Sequence, residues 1–160
     1  MPRCSSEPVP ATDPLAEVWD YVTSYIHAPP TPDLSPRIGE GVTGMDIYLG
    51  VPIPDSHTTI LSGGFSTIGL EIEVSAVQVD WGDGSVETYP PHSEILSGYP
   101  DGTATHVYES KDPDGVAVSV SYDWTVRWRQ NGGPWQPLDP PDTTTTLAYP
   151  LSEIISVLTR

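Results

Sequence analysis

The sequence predicts an all-β fold: an antiparallel β-sandwich preceded by one short amphipathic helix. The strongest observation is an unbroken alternation of apolar and polar residues over 118–129, which is typical of a long strand buried on one face. Nineteen prolines and fourteen glycines in 160 residues indicate many turns between short elements. Several shorter alternating runs, separated by these turns, complete the pattern of a sandwich.

The N-terminal segment is predicted to contain a tail and a helix. Residues 1–12 are polar and contain proline, so we expect a disordered tail. Asp13 followed by Pro14 is a typical helix start, and the helix is predicted over 13–27. A helix this short is marginal alone in water, so we expect its apolar stripe to dock on its own chain rather than on a neighbour. The stripe consists of Leu15, Val18, Trp19, Val22 and Ile26.

The rest of the chain is divided into a linker and the sandwich. Residues 28–44 are rich in proline and glycine and are predicted to form an extended linker. The sandwich is expected over 45–160. Within it, apolar residues alternate as far as Val74 and resume one position out of phase at Val77. Such a change of phase marks a bulge or a corner at which the strand passes from one sheet to the other, and we expect a corner at Ser75-Ala76.

The charge balance limits the classes of partner. Aspartate and glutamate total 22 against six lysines and arginines, a formal net charge of −16. Such a surface repels phosphate backbones and anionic lipids, so nucleic acid and membrane surfaces are disfavoured as partners. It attracts divalent cations and cationic partners instead. No run of 18 apolar residues is present, so no transmembrane segment is expected.

Two short motifs carry a family resemblance. Residues 77–84 read Val-Gln-Val-Asp-Trp-Gly-Asp-Gly, and residues 106–108 read His-Val-Tyr. In this order they resemble the signature of the polycystic-kidney-disease (PKD) domain, and the resemblance covers about residues 70–128. It implies an Ig-like sandwich in which these residues have structural roles: Asp80, Trp81, Gly82, Asp83, Gly84, His106 and Tyr108.

A looser resemblance extends further along the chain. The Gly-Gly-Pro-Trp segment at 132–135 and the segment at 149–154 are arranged as in uncharacterised exported PKD-domain proteins of actinobacteria. This implies a secreted or cell-surface location. Met1-Pro2-Arg3 lacks the apolar segment of a signal peptide, so no leader is expected within this chain. Cys4 is the single cysteine, which excludes an internal disulfide.

The two aspartates of the first motif support two interpretations. Asp83 is followed by Gly84, a pair typical of tight turns, and the side chain of Asp80 can cap a backbone amide on the other side of the turn. The same carboxylates are candidate ligands for a calcium ion, which prefers hard oxygen donors. No Asp-x-Asp-x-Asp-Gly loop is present to support the calcium site. No other cofactor is expected.

Catalytic motifs are absent from the sequence. His27, His57, His92 and His106 show no zinc-ligand spacing. There is no Gly-x-Ser-x-Gly, no phosphate-binding loop and no dinucleotide fingerprint. We therefore expect a protein without enzymatic activity.

Three kinds of binding function remain open. Trp135 follows a turn and is the best candidate for an exposed ring, with Tyr149 as a second candidate ligand-binding residue. Trp124 and Trp128 share a face with valines and are expected in the core, as are Trp81 and Tyr122. The first interpretation is an interaction or spacer module that contacts protein. The alternatives are a module that binds cell-wall glycan, and a homo-oligomeric structural subunit that assembles through its terminal segments.

Overall fold

The computed structural model describes residues 14–26, 29–63 and 66–153. The predicted all-β class is confirmed: 53% of the residues lie in strands and 8% in helix, with the sheets in a sandwich-like arrangement. The tail at 1–12, Asp13 and His27 lie outside the described residues. The elements are α1 (Pro14–Tyr25), β1 (Asp33–Ser35), β2 (Gly41–Val42), β3 (Asp46–Gly50), β4 (His57–Gly63), β5 (Ser66–Asp80), β6 (Val86–Tyr89), β7 (Thr105–Val107), β8 (Asp112–Gln130), β9 (Gln136–Leu138) and β10 (Thr143–Ser152).

The described residues form two compact units, and the long strands β5 and β8 contribute to both. The first unit contains α1, β4, the segment of β5 up to Glu73, and residues 125–140. In it β5 lies between β4 and β8, and β9 pairs with β8. The helix docks on this unit as predicted, because Val18, Val22 and Ile26 are buried. Leu15 is 40% exposed, so the apolar stripe is narrower than predicted.

Contacts of two tyrosines hold α1 beside the start of β4. The hydroxyl of Tyr21 lies 2.6 Å from Nε2 of His57. The ring of Tyr25 stacks on the same imidazole, with centroids 4.4 Å apart. The helix is therefore held by a polar contact as well as by burial of the face that was predicted to dock.

The second unit is the sandwich. One sheet has the order β1-β3-β7, and the other contains β2, β10, β8 and the C-terminal half of β5, to which β6 is paired. The buried aromatic side chains of this unit include Trp81, Tyr122 and Trp124, as predicted. Trp128, also predicted to be buried, is only half-buried. It lies near the end of β8, in the first unit, where the pairing with β9 covers three residues.

Residues 28–44 are not a plain linker, because they contain β1 and β2. Leu34 of β1 is 4% exposed, and β1 pairs antiparallel with β3. The pairing of β2 with β10 is parallel, which departs from the predicted antiparallel pattern. Gly41 of β2 lies against the ring of Tyr149, and a β-carbon there would come within 2.4 Å of it. Edge strands of two or three residues are too short to show a period of two, so the pattern did not reveal them.

The predicted change of phase occurs inside the continuous strand β5, which belongs to one sheet, and not at the predicted corner between two sheets. In β5 the buried side chains are at even positions up to Val74 and at odd positions from Val77 onward. Ser75 and Ala76 are both outside the buried set, as at a bulge. The hydroxyl of Ser75 donates to the carbonyl oxygen of Asp123 at 3.0 Å. Among the described residues, no helix is long and apolar enough to cross a membrane.

Candidate functional site

The turn after β5 is built by the two aspartates of the PKD-like motif. Oδ1 of Asp80 accepts from the amide of Gly82 at 2.9 Å, and Oδ1 of Asp83 accepts from the amide of Ser85 at 3.1 Å. Gly82 and Gly84 have φ values of 86° and 95°, which residues with a side chain rarely adopt. Each aspartate therefore holds the backbone amide two residues after it, and the backbone of the loop requires glycine at both 82 and 84.

The second motif packs onto this turn. His106 Nε2 donates to Asp83 Oδ2 at 2.7 Å, and its ring stacks on Trp81 with centroids 4.8 Å apart. The hydroxyl of Tyr108 donates to the carbonyl oxygen of Trp81 at 2.7 Å. The structure therefore brings all seven predicted motif residues into one cluster.

The electrostatics of the cluster follow from these contacts. Partial burial alone would raise the pKa of Asp83, but the hydrogen bonds from His106 and from the Ser85 amide outweigh it and hold the pKa below its usual range. Burial raises the pKa of Tyr108 well above its ordinary value, and the negative charge of Asp83 adds to this effect. Tyr108 is therefore a neutral hydrogen-bond donor at physiological pH.

A polar groove of about 580 Å³ lies beside the cluster. Its lining includes Asp83, His106, Lys111 and Asp112. Both oxygens of Asp83 are already engaged, and Asp80 holds the Gly82 amide. No group of three or more histidine, cysteine, aspartate or glutamate side chains in the described part of the chain could hold a metal ion. These contacts favour the turn-forming interpretation of the two aspartates over the calcium site.

Trp135 is not an open platform. It is half-buried, and the guanidinium carbons of Arg127 and Arg129 each lie 4.5 Å from the centroid of its ring. Arg127 also donates to Glu71 at 2.7 Å. Two cations therefore compete with a ligand for the π-surface of this ring. The alternation over 118–129 places both arginines on the outer face of β8, but it does not show that the hairpin carries Trp135 over them.

The prediction that Tyr149 is a ligand-binding residue is wrong, because its side chain is not accessible. It is fully buried in the second unit, where its hydroxyl donates to the carbonyl oxygen of Pro36. Burial raises its pKa to about 12. The alternation of Leu147, Tyr149 and Leu151 was a sequence signal for this inward position.

A second groove, of about 410 Å³, was not predicted. It is lined by Pro36, Met45, Asp46, Tyr48 and Tyr99, together with Ser35. Tyr99 is 67% exposed and meets the edge of Tyr48, with ring centroids 5.2 Å apart and planes at 84°. We name these residues the Tyr48–Tyr99 groove. The sequence held one signal for this groove. Tyr48 lies on the polar side of a strand and Tyr99 lies in a loop, and at neither position does the core require an aromatic ring.

No family model, no curated protein and no solved structure matches the chain.

Proposed function

We propose that this protein is a non-catalytic interaction module of the PKD type that acts outside the cell. The observation that carries the proposal is the Tyr48–Tyr99 groove, in which an aromatic ring 67% exposed borders an apolar surface. Tyrosine and tryptophan are enriched at protein interfaces, where a partner buries the apolar part of the ring and the polar end keeps a hydrogen bond. Tyr99 contacts Tyr48 by the edge-to-face arrangement of the two rings, and most of its own surface stays open to a partner.

The geometry of the motif cluster supports a structural rather than a catalytic role for its acid and base. Asp83 holds the Ser85 amide and pairs with His106, which in turn is stacked on Trp81. A general base needs an accessible lone pair within reach of a substrate proton. Here the carboxylate and the imidazole nitrogen that faces it are committed to each other.

We propose that the partner is a polypeptide segment that carries a basic side chain. The chain has a net charge of −16, and Asp46 lines the groove beside the two rings. An arginine can stack on a tyrosine ring while it pairs with a carboxylate. Met45 and Pro36 would then contact the apolar part of the same segment.

An array of extended peptides with and without arginine or lysine tests this proposal. Binding is measured for the full chain and for the Tyr99→Ala and Asp46→Asn variants. Both variants should lose at least about tenfold in affinity, the effect of removing roughly 1.4 kcal/mol of contact energy. Val86→Ala removes an exposed side chain elsewhere and should change nothing. Equal binding by Tyr99→Ala, or no preference for basic peptides, contradicts the proposal.

The same groove supports a second candidate function, the binding of a neutral cell-wall glycan. Tyrosine rings with nearby hydrogen-bonding groups such as Asp46 and Ser35 are suited to a sugar. A glycan array with Tyr99→Ala and Trp135→Ala compares the two aromatic sites. Loss of glycan binding in Tyr99→Ala alone favours this candidate. Loss in Trp135→Ala alone would place the glycan site at Trp135, and the groove would not be the site.

A further inference from the structure

The loop that carries Tyr99 is fixed to the sheet behind the groove. A bridge between Gly50 and Ser97 joins the start of this loop to the end of β3. The amide of Gly102 donates to the carbonyl oxygen of Gly98 at 2.6 Å and closes the loop around Tyr99. The backbone of Tyr99 is therefore held in place before a partner binds, which lowers the entropy cost of binding.

A peptide in the groove cannot add as a further strand to the central strand beneath it. At Tyr48, β3 is paired with Ser35 of β1 on one side and with Thr105 of β7 on the other. β1 is three residues long, and Pro36, which follows it, has no amide hydrogen to donate. The carbonyl oxygen of Pro36 already accepts from the hydroxyl of Tyr149. A peptide must therefore be held by side chains of the groove and not by a ladder of backbone hydrogen bonds.

The polar groups of the two rings suit a backbone that has carbonyl oxygens and few amides. The hydroxyls of Tyr48 and Tyr99 make no hydrogen bond within the part of the chain that the structure describes. Proline has no N–H, and the backbone of a polyproline II segment makes no internal hydrogen bonds, so its carbonyl oxygens are free to accept. Both hydroxyls can donate to such oxygens, and no proline leaves an amide without an acceptor.

The carboxylate of Asp46 sets the place of a basic residue in the partner. Asp46 and Tyr48 lie on the same face of β3, because Ile47 between them is fully buried on the other face. Two residues of a strand span about 7 Å, and a polyproline II segment rises about 3.1 Å per residue. A basic residue that pairs with Asp46 should therefore stand about two or three positions from the proline over Tyr48.

We infer that the groove binds a proline-rich segment of another protein in the polyproline II conformation, with an arginine or lysine beside the prolines. The inference rests on the proposed function and adds the conformation and the composition of the partner. The rings of Tyr48 and Tyr99 stand at 84° and form a notch for a proline ring. Aromatic grooves bind such segments because a preformed conformation loses little entropy on binding. An α-helix, about 10–12 Å across, would need a wider surface than this notch.

Fluorescence anisotropy with three labelled peptides tests the inference on the full chain. The first peptide is rich in proline and carries one arginine, the second has alanine at every proline position, and the third has glutamine in place of the arginine. The first should bind most tightly, and each of the other two should bind roughly tenfold more weakly or worse.

Variants of the protein place the proline peptide in the groove. Tyr99→Ala should weaken its binding by roughly tenfold or more. Tyr99→Phe keeps the ring and loses the hydroxyl, so it should weaken binding by a smaller factor. Val86→Ala changes an exposed side chain on β6 and should bind as the wild-type chain does.

The outcomes separate this inference from the function on which it rests. Equal binding of the proline and alanine peptides, with both lost in Tyr99→Ala, overturns the inference and leaves the groove as a site for basic peptides. Failure of every arginine peptide to bind contradicts the proposed function and the inference with it. Binding of the proline peptide that Tyr99→Ala does not change places the peptide elsewhere on the protein and also overturns the inference.

Discussion

The imidazole of His106 lies flat against the indole of Trp81, with ring centroids 4.8 Å apart and 14° between the planes. The same imidazole donates to Asp83, whose other oxygen accepts from the Ser85 amide. One packed cluster therefore joins β7 to the turn that follows β5. Its polar groups fix the backbone of the turn. The residues of the motif that carries the family resemblance therefore have a structural role.

Replacement of Asp83 by asparagine should reduce stability in a pH-dependent manner. The folded-state pKa of Asp83 lies below its ordinary value, so the ionised carboxylate stabilises the fold above the unfolded-state pKa of about 3.9. That contribution is lost as the pH falls through the folded-state pKa. Asp83→Asn should lower the unfolding free energy by about 1 kcal/mol at neutral pH, and the difference should disappear in acid. Urea denaturation of both proteins at a series of pH values measures it.

Asp101→Asn is the control for this comparison, because Asp101 lies exposed in a loop. Its effect should be close to zero at every pH. A loss of stability in Asp83→Asn that does not vary with pH would show that the charge of Asp83 contributes nothing and that only the shape of the turn matters.

The hydroxyl of Tyr108 should contribute more to stability than its small size suggests. It donates to the carbonyl oxygen of Trp81 within the core. Tyr108→Phe leaves that carbonyl without this partner in a buried position, which should cost about 1–3 kcal/mol. Tyr99→Phe removes a hydroxyl from an exposed ring and should cost almost nothing. Thermal denaturation of the two variants compares them, and equal melting temperatures would contradict a structural role for the Tyr108 hydroxyl.

Two glycines of the motif turn allow backbone strain to be separated from steric clash. Both have positive φ, but a β-carbon at Gly82 would lie 2.4 Å from the carbonyl oxygen of Ala117, whereas a β-carbon at Gly84 meets nothing within 4 Å. Gly84→Ala should therefore cost only about 1 kcal/mol, the strain of the left-handed backbone. Gly82→Ala must also displace β8 and should cost clearly more. Denaturant titration gives both values, and equal costs would show that the neighbouring strand moves aside freely.

Sequence periodicity predicted the strands whose side chains alternate over many residues. The long alternation in β8 and the change of phase between Val74 and Val77 both appear in the structure, because burial on one face imposes a period of two. β1 and β2 escaped detection because two or three residues cannot display a period. Their place is determined by partners distant in sequence, such as Tyr149 over Gly41.

The candidate binding residues were harder to predict for a related reason. An aromatic residue in a loop or on a strand can be exposed, buried or covered by a neighbour, and the sequence does not distinguish these cases. Trp135 is covered by two arginines, Tyr149 is buried, and Tyr99 is exposed. Only the tertiary arrangement separates the three.

Truncation of the buried side of α1 should destabilise the protein, whereas truncation of its outer side should not. Val22 is 1% exposed and Leu15 is 40% exposed, although the predicted stripe contained both. Val22→Ala should cost about 2 kcal/mol, as expected for a buried aliphatic side chain, and Leu15→Ala should cost little. Trp19 is half-buried, so Trp19→Ala should cost less than the ~3 kcal/mol expected for a fully buried ring. Thermal denaturation at one protein concentration, combined with sedimentation, compares the three variants. If Val22→Ala changed the association state and left the stability of the monomer unaltered, the helix would dock on a neighbouring chain, and the intramolecular arrangement would be wrong.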